Sequence, residues 1–129
     1  MISGIITVLL ADAGVTALTG DKIYPVVAEQ EVKRPYVTVR RTGVSPTIVK
    51  NEVSGKDEMN VNIAAYAATY KECIDILLAV RTVIDNYKGI PAGSTVNFLN
   101  VWYLLSEDLF DKEDETYIVV DTYAARVKR

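Results

Sequence analysis

Two groups of charged side chains are the first candidates for chemistry. Glu107, Asp108, Asp111, Glu113, Asp114 and Glu115 crowd one short segment, relieved only by Lys112. Such a cluster invites two readings, a calcium site or a carboxylate pair for glycoside hydrolysis. An EF-hand loop needs carboxylates at alternate positions, a glycine at the bend and a glutamate at the twelfth, and no glycine occurs after Ser94. The separation and raised pKa of a hydrolytic pair leave no mark in a sequence, so no acid/base pair is assigned. The expectation is a solvated hairpin turn or an acidic docking surface, without metal. The second group is Lys33, Arg34, Arg40, Arg41 and Lys50, in a stretch from Val32 to Lys50 that contains no acid. Interleaved with Tyr36 it has the look of a nucleic-acid patch, but the formal net charge is −3 and steering toward phosphate would be weak. No specific nucleic acid is expected. Patches of opposite sign on one small chain suit contacts between copies, or with a protein partner, better than a free ligand.

Nucleophilic devices fail by counting. The 129 residues include no histidine and one cysteine, which removes the commonest general base, the commonest metal ligand and every internal disulfide. No Ser-x-x-Lys, Gly-x-Gly-x-x-Gly or Gly-x-x-x-x-Gly-Lys occurs. Cys73 falls on the apolar face of the clearest helix and reads as a small buried hydrophobe. No catalysis, cofactor or small-molecule substrate is therefore expected.

Positioning these groups falls to elements that the patterning outlines. Ile2, Ile5, Ile6, Leu9, Leu10 and Ala13 recur at helical spacing, and Gly14 is expected to interrupt before a helical turn over Val15 to Leu18 that Gly20 caps. Asp21 to Pro25 reads as a brief extended piece, because the residue before a proline leaves the helical basin. Tyr36 to Arg41 alternates as a strand, and Glu58 to Tyr66 alternates again, as its antiparallel neighbour would. Between them, residues 43–57 mix turn formers with Val44, Ile48, Val49 and Val53, which predicts a protruding loop or arm, a binding element by its length. Thr69 and Glu72 form a capping box that opens a helix. Its stripe of Cys73, Ile76, Leu77, Val80, Val83, Ile84 and Tyr87 must lie on a sheet, and Gly89 is expected to stop it. Val96 to Leu105 and Tyr117 to Val127 read as strands, joined through the acidic segment, with apolar groups on both faces.

The expectation is an α+β fold: a mainly antiparallel sheet of about four strands with the helices packed on one face, in a single domain over 1–129. The apolar second face calls for a cover, from the chain or from another subunit. The longest opening apolar stretch, Ile5 to Leu10, is far shorter than the roughly 20 residues that cross a bilayer, and no basic region precedes it. No membrane association or signal peptide is expected, and the single thiol suits a reducing cytoplasm.

The order of elements resembles the tail-completion, or tail-to-head joining, family of long-tailed bacteriophages and prophages. The matching pieces are the opening helix Ile5 to Asp12, Val15 to Leu18, Gly20-Asp21-Lys22-Ile23-Tyr24-Pro25, Arg34-Pro35-Tyr36-Val37, Ala65-Tyr66-Ala67 running into Thr69-Tyr70-Lys71-Glu72, and the turn Glu107-Asp108-Leu109-Phe110-Asp111. The resemblance implies a non-enzymatic virion protein that forms a ring, commonly a hexamer, at the end of the tail tube and takes part in attachment to the head connector. Its partners would be its own copies, the tail-tube protein and the connector protein. A head-to-tail ring needs two different, complementary surfaces on each copy. The candidate interface residues are Arg40, Arg41, Ile48, Val49 and Lys50 on one side and Glu107, Asp108, Asp111, Glu113, Asp114 and Glu115 on the other. A different class also fits the residues, a small α+β ligand-binding or regulatory domain whose arm closes over a metabolite.

Overall fold

A computed structural model describes residues 2–26, 33–49, 52–91, 97–113 and 115–128, with 2, 3, 43–49 and 52–57 described by backbone alone. Three helices and five strands follow in the order α1 (Ile2–Leu10), α2 (Ala13–Thr19), β1 (Ile23–Pro25), β2 (Tyr36–Val49), β3 (Glu52–Ala67), α3 (Tyr70–Ile84), β4 (Asn97–Asp111) and β5 (Thr116–Lys128). The strands form one sheet in the order β1-β2-β3-β5-β4, antiparallel throughout except for the parallel pair β1/β2. The fold is α+β as expected. The fifth strand is the short extended piece at Ile23–Pro25, which pairs with Val37–Val39.

The opening helix ends earlier than its apolar pattern suggests. Asp12 leaves the helical basin and accepts a hydrogen bond from the Val15 amide at 3.0 Å, so it caps α2, and Gly14 sits inside that helix instead of breaking it. Gly20 closes α2 in the left-handed region at φ 65°, where a side chain would be strained. Thr69 caps α3 by accepting from the Glu72 amide at 3.2 Å. The helix then stops at Ile84, one turn short of the expected end. Asn86 takes the left-handed conformation at φ 65°, and Tyr87 leaves the helix to pack edge-on against Phe98.

All three helices lie on one face of the sheet. Ile5, Leu9, Val15, Cys73, Ile76, Leu77, Val80 and Ile84 bury against Val37, Val39, Val61, Ile63, Val119, Tyr123 and Val127. Each large side chain in that layer contributes roughly 1.5–3 kcal/mol by leaving water. Alternation along β5 is regular: Val119, Asp121, Tyr123, Ala125 and Val127 are buried, while Ile118, Val120, Thr122 and Ala124 are half-buried on the other face. Among the described residues no helix covers that second face.

Both long hairpins run further than the alternation predicts. Backbone pairing of β2 with β3 continues to Val49↔Glu52, past the last partner that β3 finds in β5 at Lys56, so residues 43–49 and 52–57 belong to strands. β4 extends to Asp111, six residues beyond Leu105 in the sequence, and pairs with Thr116. An irregularity between Tyr103 and Leu105 hides this continuation. It leaves Leu104 unpaired and turns Leu105 toward the face that carries Thr122, away from the face of Val101 and Tyr103 on which strict alternation would place it.

Candidate assembly surface

The acidic residues are distributed along an edge as well as around a turn. Glu107, Asp108 and Asp111 stand on β4, the last strand of the sheet, whereas Glu113 and Glu115 belong to the β4/β5 connection. This corrects the expectation of a single acidic turn, and the cause is the longer hairpin. Arg40 and Arg41 stand on β2, at the other side of the sheet, just past the residues that β1 covers. Ile48 and Val49 close β2, where backbone alone is described; Lys50 and Asp114 lie outside the described residues. The sequence-predicted residues therefore form two separate surfaces, one basic and one acidic, on opposite flanks of one sheet.

Register assigns each charge to a face. Arg40 is opposite Asn62 and lines the second face with Thr38 and Tyr66, and Glu107 is opposite Val120 on that same face. Arg41 is opposite the core residue Val61 and Asp108 opposite Val119, so both point to the helix side. The side chains of Arg40, Arg41 and Glu107 are exposed and enter no hydrogen bond or ion pair among the described residues. Asp108 accepts the Tyr70 hydroxyl at 3.1 Å, a bond that raises the phenol's pKa by favouring its protonated form. Among the described residues two ion pairs form within the chain, Arg126 with Glu58 and Arg81 with Asp121.

Apolar side chains accompany the acidic flank. Leu104, Leu105, Leu109, Phe110 and Tyr117 are each at least 38% exposed, a density that isolated surface hydrophobes do not reach. Phe110 leans on Tyr117 at 4.8 Å between ring centroids, and Tyr70 meets Tyr117 edge-on at 6.4 Å. On the second face a shallow groove of about 230 Å³ runs between Val26, Arg40, Tyr66, Leu109, Ile118 and Val120. Tyr36 and Tyr66 stack at its end, 4.5 Å apart.

A buried polar cluster, which patterning alone does not reveal, holds β4 to α3. Asp121 is wholly buried, accepts from Arg81 at 3.2 Å and takes the Ser106 hydroxyl at 2.7 Å. The Arg81 guanidinium covers the Tyr103 ring at 4.0 Å, and Asp85 accepts the Tyr103 amide at 3.1 Å. Burial opposes the charge on Arg81, yet the bond to Asp121 keeps its pKa above the usual value. Tyr123 lies beside this pair with its hydroxyl unpartnered, and burial pushes its pKa up. One signal in the sequence marks the cluster, an aspartate amid the alternating apolar residues of β5. Cys73 is buried as expected, bonded through sulfur to the Tyr117 and Ala65 carbonyls, and burial raises its pKa. Among the described residues no group of three or more His, Cys, Asp or Glu could hold a metal, and no helix is long and apolar enough to cross a membrane.

These features define a class: a small α+β structural domain with exposed charged and apolar side chains gathered on the outer flanks of its sheet. The sequence matches the tail completion protein gp17 family over residues 3–128, and the chain belongs to that family. It is a structural tail protein of phage type. A solved structure titled "Virion of native gene transfer agent (GTA) particle" contains a chain with the same fold, at TM-score 0.85 and 18% identity, covering 100% of this chain and 95% of that one. No curated protein sequence matches.

Proposed function

We propose that this chain is a ring-forming adaptor, a closed homo-oligomer of six copies at the head-proximal end of the tail that joins the tail to the head connector. Its work is adhesion between large assemblies, and it performs no catalysis. The observation that carries this reading is the placement of unmatched charge: basic on the β2 flank, acidic on the β4 flank. Two different, complementary flanks suit heterologous association, which closes into a ring when the rotation between copies is right. A twofold dimer joined edge to edge would instead set one flank against its own copy and repel. The second face, which no described helix covers, and the exposed apolar residues near β4 offer further surface for the tail-tube and connector proteins.

Assembly would take place in the bacterial host cytoplasm, with the virion tail as destination. The test is loss and rescue. Removing the gene from the producing phage or prophage is expected to leave filled heads and finished tails unjoined, and adding the purified chain to that lysate is expected to join them. Complete joined particles in its absence would refute the assignment.

A further inference from the structure

The rim of the sheet holds a second pattern, in the main chain. β1 covers β2 only at Val37–Val39, and the Val26 amide closes the Val39 carbonyl. From Arg40 onward no described residue pairs with the outer side of β2. On the opposite rim, the turn after α3 closes the lower part of β4: Gly89 exchanges two bonds with Phe98, Asn86 donates to the Val101 carbonyl, and Asp85 takes the Tyr103 amide. Beyond Tyr103 nothing described pairs with the outer side of β4. Among the described residues, each rim thus has a closed half and an open half. The open halves lie at opposite ends of the sheet, since Arg40 is level with Leu105 through Asn62 and Thr122. Open strand edges present unpaired main-chain groups that are ready to pair with another chain.

We infer that neighbouring copies join by strand addition, the open half of β4 (Leu105–Asp111) pairing antiparallel with the open half of β2 (from Arg40) on the next copy, so that one sheet continues around the ring. This rests on the ring reading above and names its junction. Three features fit a second copy as the occupant. Strand direction agrees, because β2 and β4 run oppositely within one copy and a rotation about an axis along the strands preserves that sense. Charge agrees in sign on each face separately, Arg40 against Asp111 and Glu107 on the second face and Arg41 against Asp108 on the helix side. Position agrees once copies are staggered along the strands, which brings open half to open half and tilts the strands to the ring axis, as in closed sheets tilted by roughly 35–45°. Antiparallel pairing then lays the Asp111 end of β4 beside Arg40.

Paired charge reversals and hydrogen exchange test the junction. Arg40→Glu with Arg41→Glu, and separately Glu107→Lys with Asp108→Lys, are each expected to abolish the ring mass in native mass spectrometry. Mixing the two variants is expected to restore it, in rings that alternate and hold equal numbers of each. In the wild type, assembly is expected to slow exchange of the outward-pointing amides within 41–42 and 105–110 at least tenfold, a readout that stands even where a variant fails to fold. Wild-type rings that tolerate both reversals, or whose edge amides exchange as fast as in the monomer, overturn the strand junction and leave the ring reading intact. A wild type that forms no ring, alone or on isolated tail tubes, overturns the ring reading and this inference with it.

Discussion

Asp121 and Arg81 differ in what happens when either loses its partner. Asp121 is wholly buried, while the Arg81 side chain keeps 34% exposure and can swing its guanidinium to water. Arg81→Met strands a buried carboxylate held only by Ser106, and its expected cost is about 3 kcal/mol. Asp121→Asn leaves a cation with an exit, and should cost only about 1–2 kcal/mol. Urea unfolding of the two variants checks the order; equal losses would show that the pair is not anchored as described. Two further groups couple stability to alkali. Cys73 and Tyr123 have pKa values raised by burial above their ordinary 9.0 and 10.0, so the unfolded chain ionises first as pH rises. Stability from these groups is full below pH 9.0 and drains away above it, stepwise for thiol and then phenol. The melting temperature should therefore fall from about pH 9 upward, and Cys73→Ala should blunt the first part of the fall. Thr69→Ala removes the α3 cap at an expected cost of about 1 kcal/mol.

β4 carries the most consequence for its neighbours, because its two halves do different work. The lower half is clamped through Phe98, Val101 and Tyr103; the upper half is offered outward from the irregularity at Leu104. Deleting Leu104 removes the extra residue and sets Tyr103 and Leu105 next to each other opposite Tyr123 and Thr122, so Leu105 through Asp111 keep their partners and faces and only the bulge is lost. The expected result is a folded chain, with α3 and β5 intact by circular dichroism, that still forms the ring; a folded variant that no longer assembles would contradict the assignment of Glu107 and Asp108 to their faces. The same residue explains part of what the sequence concealed. Alternation from Val101 carries straight through Leu104-Leu105, so the pattern reads as ending where it in fact changes phase. β1 escaped as a strand because three residues with a single parallel neighbour have no period to detect. The break after α1 escaped because Asp12 falls amid apolar residues that continue the helical spacing, and its capping role depends on backbone geometry. By contrast, Thr69-x-x-Glu72 and the stripe from Cys73 to Ile84 were legible in full, since a capping box and a helical period are local signals.

For the whole molecule, the two charged segments were legible and their arrangement was not. Composition located Arg40, Arg41 and the Glu107–Glu115 cluster, but only strand order reveals that β2 and β4 flank one sheet and that Arg40 shares a face with Glu107. An assembly joined across such flanks should weaken with ionic strength, since exposed charges are screened within about 8 Å at physiological salt. Apolar contact near Phe110 and Leu109 and main-chain bonds would persist, so raising salt is expected to shift the ring toward monomer without unfolding it, a change that light scattering follows. The most direct measurement is a cryo-electron microscopy reconstruction of the head–tail junction in particles that carry this chain. The expected density is a closed ring of identical copies in which the β4 flank of each, with Glu107 and Asp108, meets the β2 flank of the next, with Arg40 and Arg41. Copies related by a twofold axis, or a ring in which both flanks face solvent, would contradict it.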